Sequence, residues 1–239
     1  MADVLVVADD LTGANAAAAG FSRAGLRAVT ASAAHRADVV AEMVSRFDVV
    51  VATTDSRHAP AAVAKERAAA VVRAGWPARL VCNRIDTTLR GNVGASTQAV
   101  RDEVAALSGR RVVVLCAPAH PEANRHTIGG TQLLDGRRLE ETEVARDART
   151  PMRTSDVVAI LGQQTDLAAL HVQAAVGAIV SNLPIALGFG ISKPEHVREW
   201  NRAELKQYLE SSGFEVIEQK LLSFLPPKQR KSIEASRAA

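Results

Sequence analysis

Two short polar segments hold the residues best suited to chemistry. Ala8-Asp9-Asp10-Leu11-Thr12-Gly13-Ala14-Asn15 follows the apolar run 4–7, and Asn83-Arg84-Ile85-Asp86-Thr87-Thr88-Leu89-Arg90-Gly91-Asn92 follows the run 80–82. Each sets acids, hydroxyls and a glycine where a strand hands over to a helix. In open α/β sheets that carboxyl edge is where ligands bind. Asp9 and Asp10 are adjacent, so their side chains diverge and cannot act as one paired-carboxylate centre. One can bind or deprotonate an alcohol while the other fixes the loop by accepting backbone N–H bonds. An Asp-rich helix cap is the purely structural alternative. Gly13 lets the backbone approach a ligand, and the helix N-terminus behind it favours an anion. In the second segment Arg84 and Arg90 lie six residues apart around Asp86, Thr87 and Thr88, with Gly91 and Gly94 close by. A planar guanidinium grips a carboxylate or phosphate through two parallel bonds, and threonine hydroxyls complete the cradle. An Arg–Asp pair bracing the loop is the alternative there. Two such loops on one sheet edge would converge on a small polyhydroxylated anion.

The elements that must position these loops alternate in type. Residues 3–8 read as a buried strand, and Thr12 as the cap of a helix over 14–24 that Gly25 ends. Strands are expected at 27–31, 47–53, 78–82 and 111–116, with helices at 37–46, 60–73 and 95–107. Pro60 suits a first helical turn, and Gly75 suits the close of that helix. Repeated strand–helix–strand units with right-handed crossovers give an α/β fold: a doubly wound parallel sheet flanked by helices. Beyond Ala117 the rhythm changes to a long polar loop. A hairpin is expected with strands at 131–134 and 137–139 around Asp135-Gly136, and the acid- and arginine-rich stretch 142–151 shows no period. Loops of this length inside a domain are usually functional.

Composition narrows the class. The chain has 239 residues, a net charge of +3 and only 3% aromatic residues. Its arginines are scattered, which argues against a nucleic-acid surface; the cluster Lys228-Gln229-Arg230-Lys231 reads as a solvated tail. Cys82 and Cys116 fall in apolar runs and read as buried thiols in a reducing compartment. The N-terminus enters a strand directly, without a leader pattern. The charge-free stretch 167–192 is broken by Gln173, Ser181, Asn182, Pro184 and glycines, so paired buried strands are expected rather than a membrane span. A cytoplasmic protein with no membrane partner is the expectation.

With these motifs in place, the chain resembles the four-carbon acid sugar kinases, which include the threonate, erythronate and 3-oxo-tetronate kinases. The resemblance rests on residues 8–15, 86–94, 118–130 and 139–151, in that order, and covers about residues 1–170. It implies two α/β domains, an N-terminal one holding the sugar acid and a C-terminal one holding ATP with Mg2+. It puts Asp9 and Asp10, as catalytic and binding groups, beside the sugar hydroxyls. Arg90, with Asp86 and Thr87, would line the pocket for the acid. Arg84 stands where the family usually shows lysine, and Thr87 where serine is common. Asn124 replaces a frequent glycine before Arg125, a further residue implied in substrate binding. His120 and His126 lie in the same loop and read as bystanders. A homo-oligomer is possible.

The last third departs from that family. Before His171 the chain uses nineteen arginines and one lysine; after it, four arginines and five lysines. Residues 183–192 resemble a strand and phosphate loop of tryptophan synthase α subunits, and 195–222 the last helix and strand of some methyltransferases. No Gly-Lys-Ser/Thr phosphate loop is evident. The expected organisation is therefore a substrate-binding α/β domain over 1–170 and a small mixed C-terminal extension over 171–239, in a truncated or composite chain without its nucleotide domain. Three functions follow as expectations: a sugar-acid kinase or its acid-binding half, a non-catalytic sugar-acid-binding module, and a phosphate-binding protein using residues 188–192.

Overall fold

Three runs rich in valine and alanine and a fourth, Leu80–Arg84, build the sheet that carries both loops. The computed structural model describes residues 1–169. Within it the strands are β1 (Val4–Ala8), β2 (Ala28–Ser32), β3 (Val49–Thr53) and β4 (Leu80–Arg84), all parallel, in the spatial order β2-β3-β1-β4. Helices α1 (Leu11–Arg23), α2 (Asp38–Met43), α3 (Ala61–Gly75) and α4 (Val93–Ser108) make the crossovers. β1 and β3 are buried along their whole length, as strands covered on both faces must be. Side-chain alternation divides the core. Leu5, Val7, Val50 and Ala52 pack with Val40 of α2, Ala68, Val71 and Val72 of α3 and Val100 of α4. Val4, Val6, Ala8, Val49, Val51 and Cys82 face the other way, onto Ala14, Ala17 and Phe21 of α1.

This order fixes where a ligand can enter. The helix after β1 packs on one face of the sheet and the helix after β3 on the other, so the loops leaving these neighbouring strands part to opposite faces. A crevice opens at such a switch point, between the loops that follow β1 and β3.

A smaller layer follows. β5 (Arg125–Ile128), β6 (Thr131–Leu134) and β7 (Arg137–Arg138) form an antiparallel sheet in that order, and α5 (Val157–Gly162) closes the described part. Leu89, Val93, Leu134, Leu139, Val144, Met152, Val157 and Ile160 form its core, so it packs on the loop after β4 and on the start of α4.

Three expectations need correction. Residues 111–116 form no strand: Val113, Val114 and Leu115 are 59%, 42% and 46% exposed, and no ladder joins them to β4. Among the described residues β4 ends the sheet with an open edge, yet this apolar, β-prone run does not pair with it. The long loop after Ala117 contains β5, whose polar sequence gives no alternating signal. Asp10, not Thr12, caps α1, with its Oδ1 accepting the Gly13 N–H at 2.6 Å. No described helix is long and apolar enough to cross a membrane. The readings for 171–239, including the phosphate-loop and methyltransferase-like stretches and the lysine-rich tail, lie outside the described residues.

Candidate functional site

The β1 turn is built around a guanidinium that comes from a different strand. Arg57, on the loop after β3, donates from Nε and Nη2 to Asp9 at 2.7 and 2.9 Å, and its Nη1 forms a salt bridge with Asp10 Oδ2 at 2.7 Å. The two adjacent carboxylates diverge, and one planar fork spans both. Asp9 is the buried member, with its side chain 8% exposed; Asp10 is 25% exposed and faces the crevice. Burial raises the Asp9 pKa, outweighing the Arg57 hydrogen bond and charge that lower it. Arg57 also loses water, yet its pKa is raised because Asp9, Asp86 and Asp10 all favour its charge. One cation shared among several acids is held more firmly than any one acid is relieved.

Gly13 is required by geometry: a Cβ there would lie 2.8 Å from Asp10 Oδ1 and 3.6 Å from Arg84 Cγ. Arg84 thus rests against the first turn of α1. Its Nη1 donates to the Ile85 carbonyl, and it makes no ion pair among the described residues. Burial lowers its pKa, against the opposing pull of Asp9, Asp86 and Asp10. Arg84 and Arg125 both lower the pKa of His120, after burial, which is the larger cause. The Arg125 Nε is buried without a hydrogen-bond partner, while its Nη1 donates to the Ala123 carbonyl. Arg84, His120 and Arg125 therefore lie near one another, and Arg84 lies beside the Asp9–Asp10 turn.

The rest of the β4 loop is braced internally. Asp86 Oδ2 accepts from Thr88 Oγ1 at 2.6 Å and from Arg90 Nε at 2.7 Å. Arg90 Nη1 continues to Asp147 at 3.0 Å. These bonds hold Asp86 below its usual pKa despite burial, which acts the other way. The Asp147 carboxyl, accepting the Thr150 and Arg149 N–H groups, is held down at about 2. Thr87 is tied through its carbonyl, which accepts from Gln132 Nε2 at 2.7 Å. Leu89 takes φ +60° while fully buried, a conformation a branched side chain adopts only when its surroundings enforce it. Gly91, at φ +86°, lets the loop touch Arg57: a Cβ would meet the Arg57 carbonyl at 2.7 Å.

Asp9, Asp10, Arg84 and Asp86 are thus gathered at one edge, with Arg125 reaching the same crevice through His120. Arg90 is committed to Asp86 and Asp147, and Thr87 lends its backbone. Arg57 escaped the sequence reading. Its acids lie 48 and 47 residues earlier, and only the adjacency of β3 and β1 brings them together. A cation just past the third strand, beside the switch point, was the available signal.

With this geometry in view, comparison with known proteins is informative. The family model described as "Sugar-binding N-terminal domain" matches residues 4–211. The D-erythronate kinase of Heliobacterium modesticaldum is 38% identical over 167 residues, covering 69% of this chain and 37% of the relative. The D-threonate kinase of Salmonella typhimurium is 36% identical over 172 residues, covering 69% and 37%. A crystal structure from Bordetella bronchiseptica of a domain of unknown function, a domain-swapped dimer with bound citrate, superposes with a TM-score of 0.60 at 30% identity. It covers 67% of this chain and 39% of that one. The chain spans about 37% of the length of the curated relatives it matches.

Proposed function

The chain belongs to the sugar-binding N-terminal domain family, and from that premise we propose that it holds a four-carbon sugar acid of the threonate or erythronate type for phosphorylation. Arg84 carries the proposal. A partly buried guanidinium that forms no salt bridge among the described residues, and whose burial Asp9, Asp86 and Asp10 offset only in part, leaves a bound anion more to gain there than at an exposed arginine. The acid's carboxylate takes Arg84, supported by Arg125 and His120. The hydroxyl end extends toward Asp10 Oδ2, which keeps acceptor capacity beside Arg57. Asp9 serves by holding Arg57 in place.

Phosphoryl transfer to an alcohol needs positioning and charge neutralisation, with a carboxylate to take the proton from the attacking oxygen. Asp10 fills that last role, and Arg84 and Arg57 fix the acceptor relative to it. ATP would supply the phosphoryl group and Mg2+ its charge neutralisation. The described residues do not fit that group: they gather no cluster of three or more metal-ligating side chains, and the Asp9 and Asp10 oxygens are already held by Arg57 and the Gly13 N–H. In this proposal the nucleotide belongs to a part of the relatives that the match does not reach, and residues 1–170 act as the substrate-binding domain. The same observation favours a second reading, a sugar-acid-binding module that alone does not turn over. An assay of D-threonate phosphorylation with Mg-ATP and the nucleotide-binding remainder of a relative added separates them, since the module supports no turnover. A cytoplasmic homo-oligomer accords with both.

The test is titration of D-threonate and D-erythronate into the chain and its Arg84→Met variant. Removing Arg84 should weaken binding by about a hundredfold, the effect of deleting one member of a desolvated charge pair. Stability should change little, because relief of a buried cation is set against the loss of its attraction to Asp9, Asp86 and Asp10. Equal affinities for the two proteins would remove the proposal.

A further inference from the structure

Beside Arg57, on the side of the β3 and β4 loops, lies a cavity of about 400 Å³ lined in part by His58, Asn92, Arg149, Thr150 and Gln164. Its frame is rigid. Asn92 Nδ2 donates to the carbonyls of Ser56 and Ala59, each at 2.8 Å. Gln164 donates to the Gly91 carbonyl at 3.0 Å and accepts the Gly94 N–H at 3.0 Å, so its amide and the Asn92 Nδ2 are spent joining the walls. The Asp147 turn, anchored by Arg90, delivers Arg149 and Thr150 to the opening.

What remains for a ligand is chiefly hydrogen-bond donors and positive charge. The Arg149 guanidinium makes no ion pair among the described residues, and no carboxylate lines the cavity. The Thr150 hydroxyl is buried with no hydrogen-bond partner, a costly state unless something supplies an acceptor. His58 adds an imidazole, and Arg57 keeps part of its donor fan beyond the bonds to Asp9 and Asp10. We propose that this cavity is a second oxyanion subsite, separate from Arg84 and joined to the Asp9–Asp10 turn through Arg57. Its occupant is a phosphoryl group or a carboxylate, held by Arg149, Thr150 and Arg57.

Calorimetric titration of the whole chain with inorganic phosphate, with D-threonate, and with phosphate at saturating D-threonate tests this. Arg149→Gln should weaken at least one of the two anions by about tenfold. Thr150→Val should weaken the same anion by a smaller factor without lowering the thermal midpoint, since the hydroxyl it removes satisfies nothing in the ligand-free protein. Simultaneous binding supports the subsite with a phosphoryl occupant; mutual exclusion supports it with the acid's own carboxylate as occupant. Arg84→Gln should weaken D-threonate yet leave phosphate binding sensitive to Arg149, so the subsite can stand if the Arg84 assignment fails. Affinities for both anions within about twofold of wild type in both cavity variants would overturn the proposal, as would a wild-type chain that binds neither anion.

Discussion

Replacing Arg57 with methionine probes the joint between the two loops most severely. The substitution keeps much of the side chain's length and removes its charge, leaving Asp9 and Asp10 adjacent, largely buried and without a salt-bridge partner among the described residues. Breaking a buried pair by removing one partner costs about 3–5 kcal/mol. The partial exposure of Asp10 points to the lower end, about 3 kcal/mol. With a urea slope of about 2 kcal/mol/M, the unfolding midpoint should fall by about 1.5 M at pH 7. The deficit should also depend on pH. Without Arg57, Asp9 keeps the burial that raises its pKa and loses the bond that lowers it. A carboxyl whose folded pKa lies above its unfolded value destabilises fully above the folded pKa, and that cost vanishes below the unfolded one. The gap to wild type should therefore narrow as pH falls from 7 toward about 4. Adding Asp9→Asn to Arg57→Met should recover part of the loss at pH 7, a coupling that neither single change shows. A deficit below about 0.5 kcal/mol, as for a solvent-screened pair, would refute this account of the turn. So would a deficit that is the same at both pH values.

Other consequences follow from the same contacts. Gly91→Ala forces a Cβ to 2.7 Å from the Arg57 carbonyl at φ +86°; it should cost about 2 kcal/mol or more in denaturant titrations. Gln164→Ala removes the only side-chain acceptor recorded for the first N–H groups of α4 among the described residues, and should cost about 1 kcal/mol, a typical cap loss. Val113→Ser should change stability by less than about 0.5 kcal/mol, since the side chain is 59% exposed; a buried fifth strand would instead lose well over 1 kcal/mol. Burial pushes the Cys82 thiol up to about 12 and the Cys116 thiol up to about 11, so thiol reagents at pH 8 should label the native chain slowly and the unfolded chain fast.

Much of the fold was legible because its signals are local. Valine-rich runs mark strands, and glycine or proline marks where alanine-rich helices stop and start, so the expected and observed elements of the first hundred residues coincide within a few positions. The site was legible to the extent that it is contiguous: Asp9 with Asp10, and Arg84 with Asp86 and Arg90, are visible as short motifs. Partnership was not legible. Arg90 looks like an open anion receptor in sequence, but Asp147, 57 residues later, occupies it. Arg57 looks like an isolated loop cation, but the adjacency of β1 and β3 makes it the centre of the turn. At 111–116 apolar character signalled a strand, but it does not by itself make the run pair, even with the β4 edge open among the described residues.

A crystal structure of the chain with D-threonate tests the central claim most directly. The ligand's carboxylate should lie within about 3 Å of the Arg84 guanidinium, with a hydroxyl donating to Asp10 Oδ2. A sugar acid bound with its carboxylate away from Arg84, and Asp10 untouched, would contradict it.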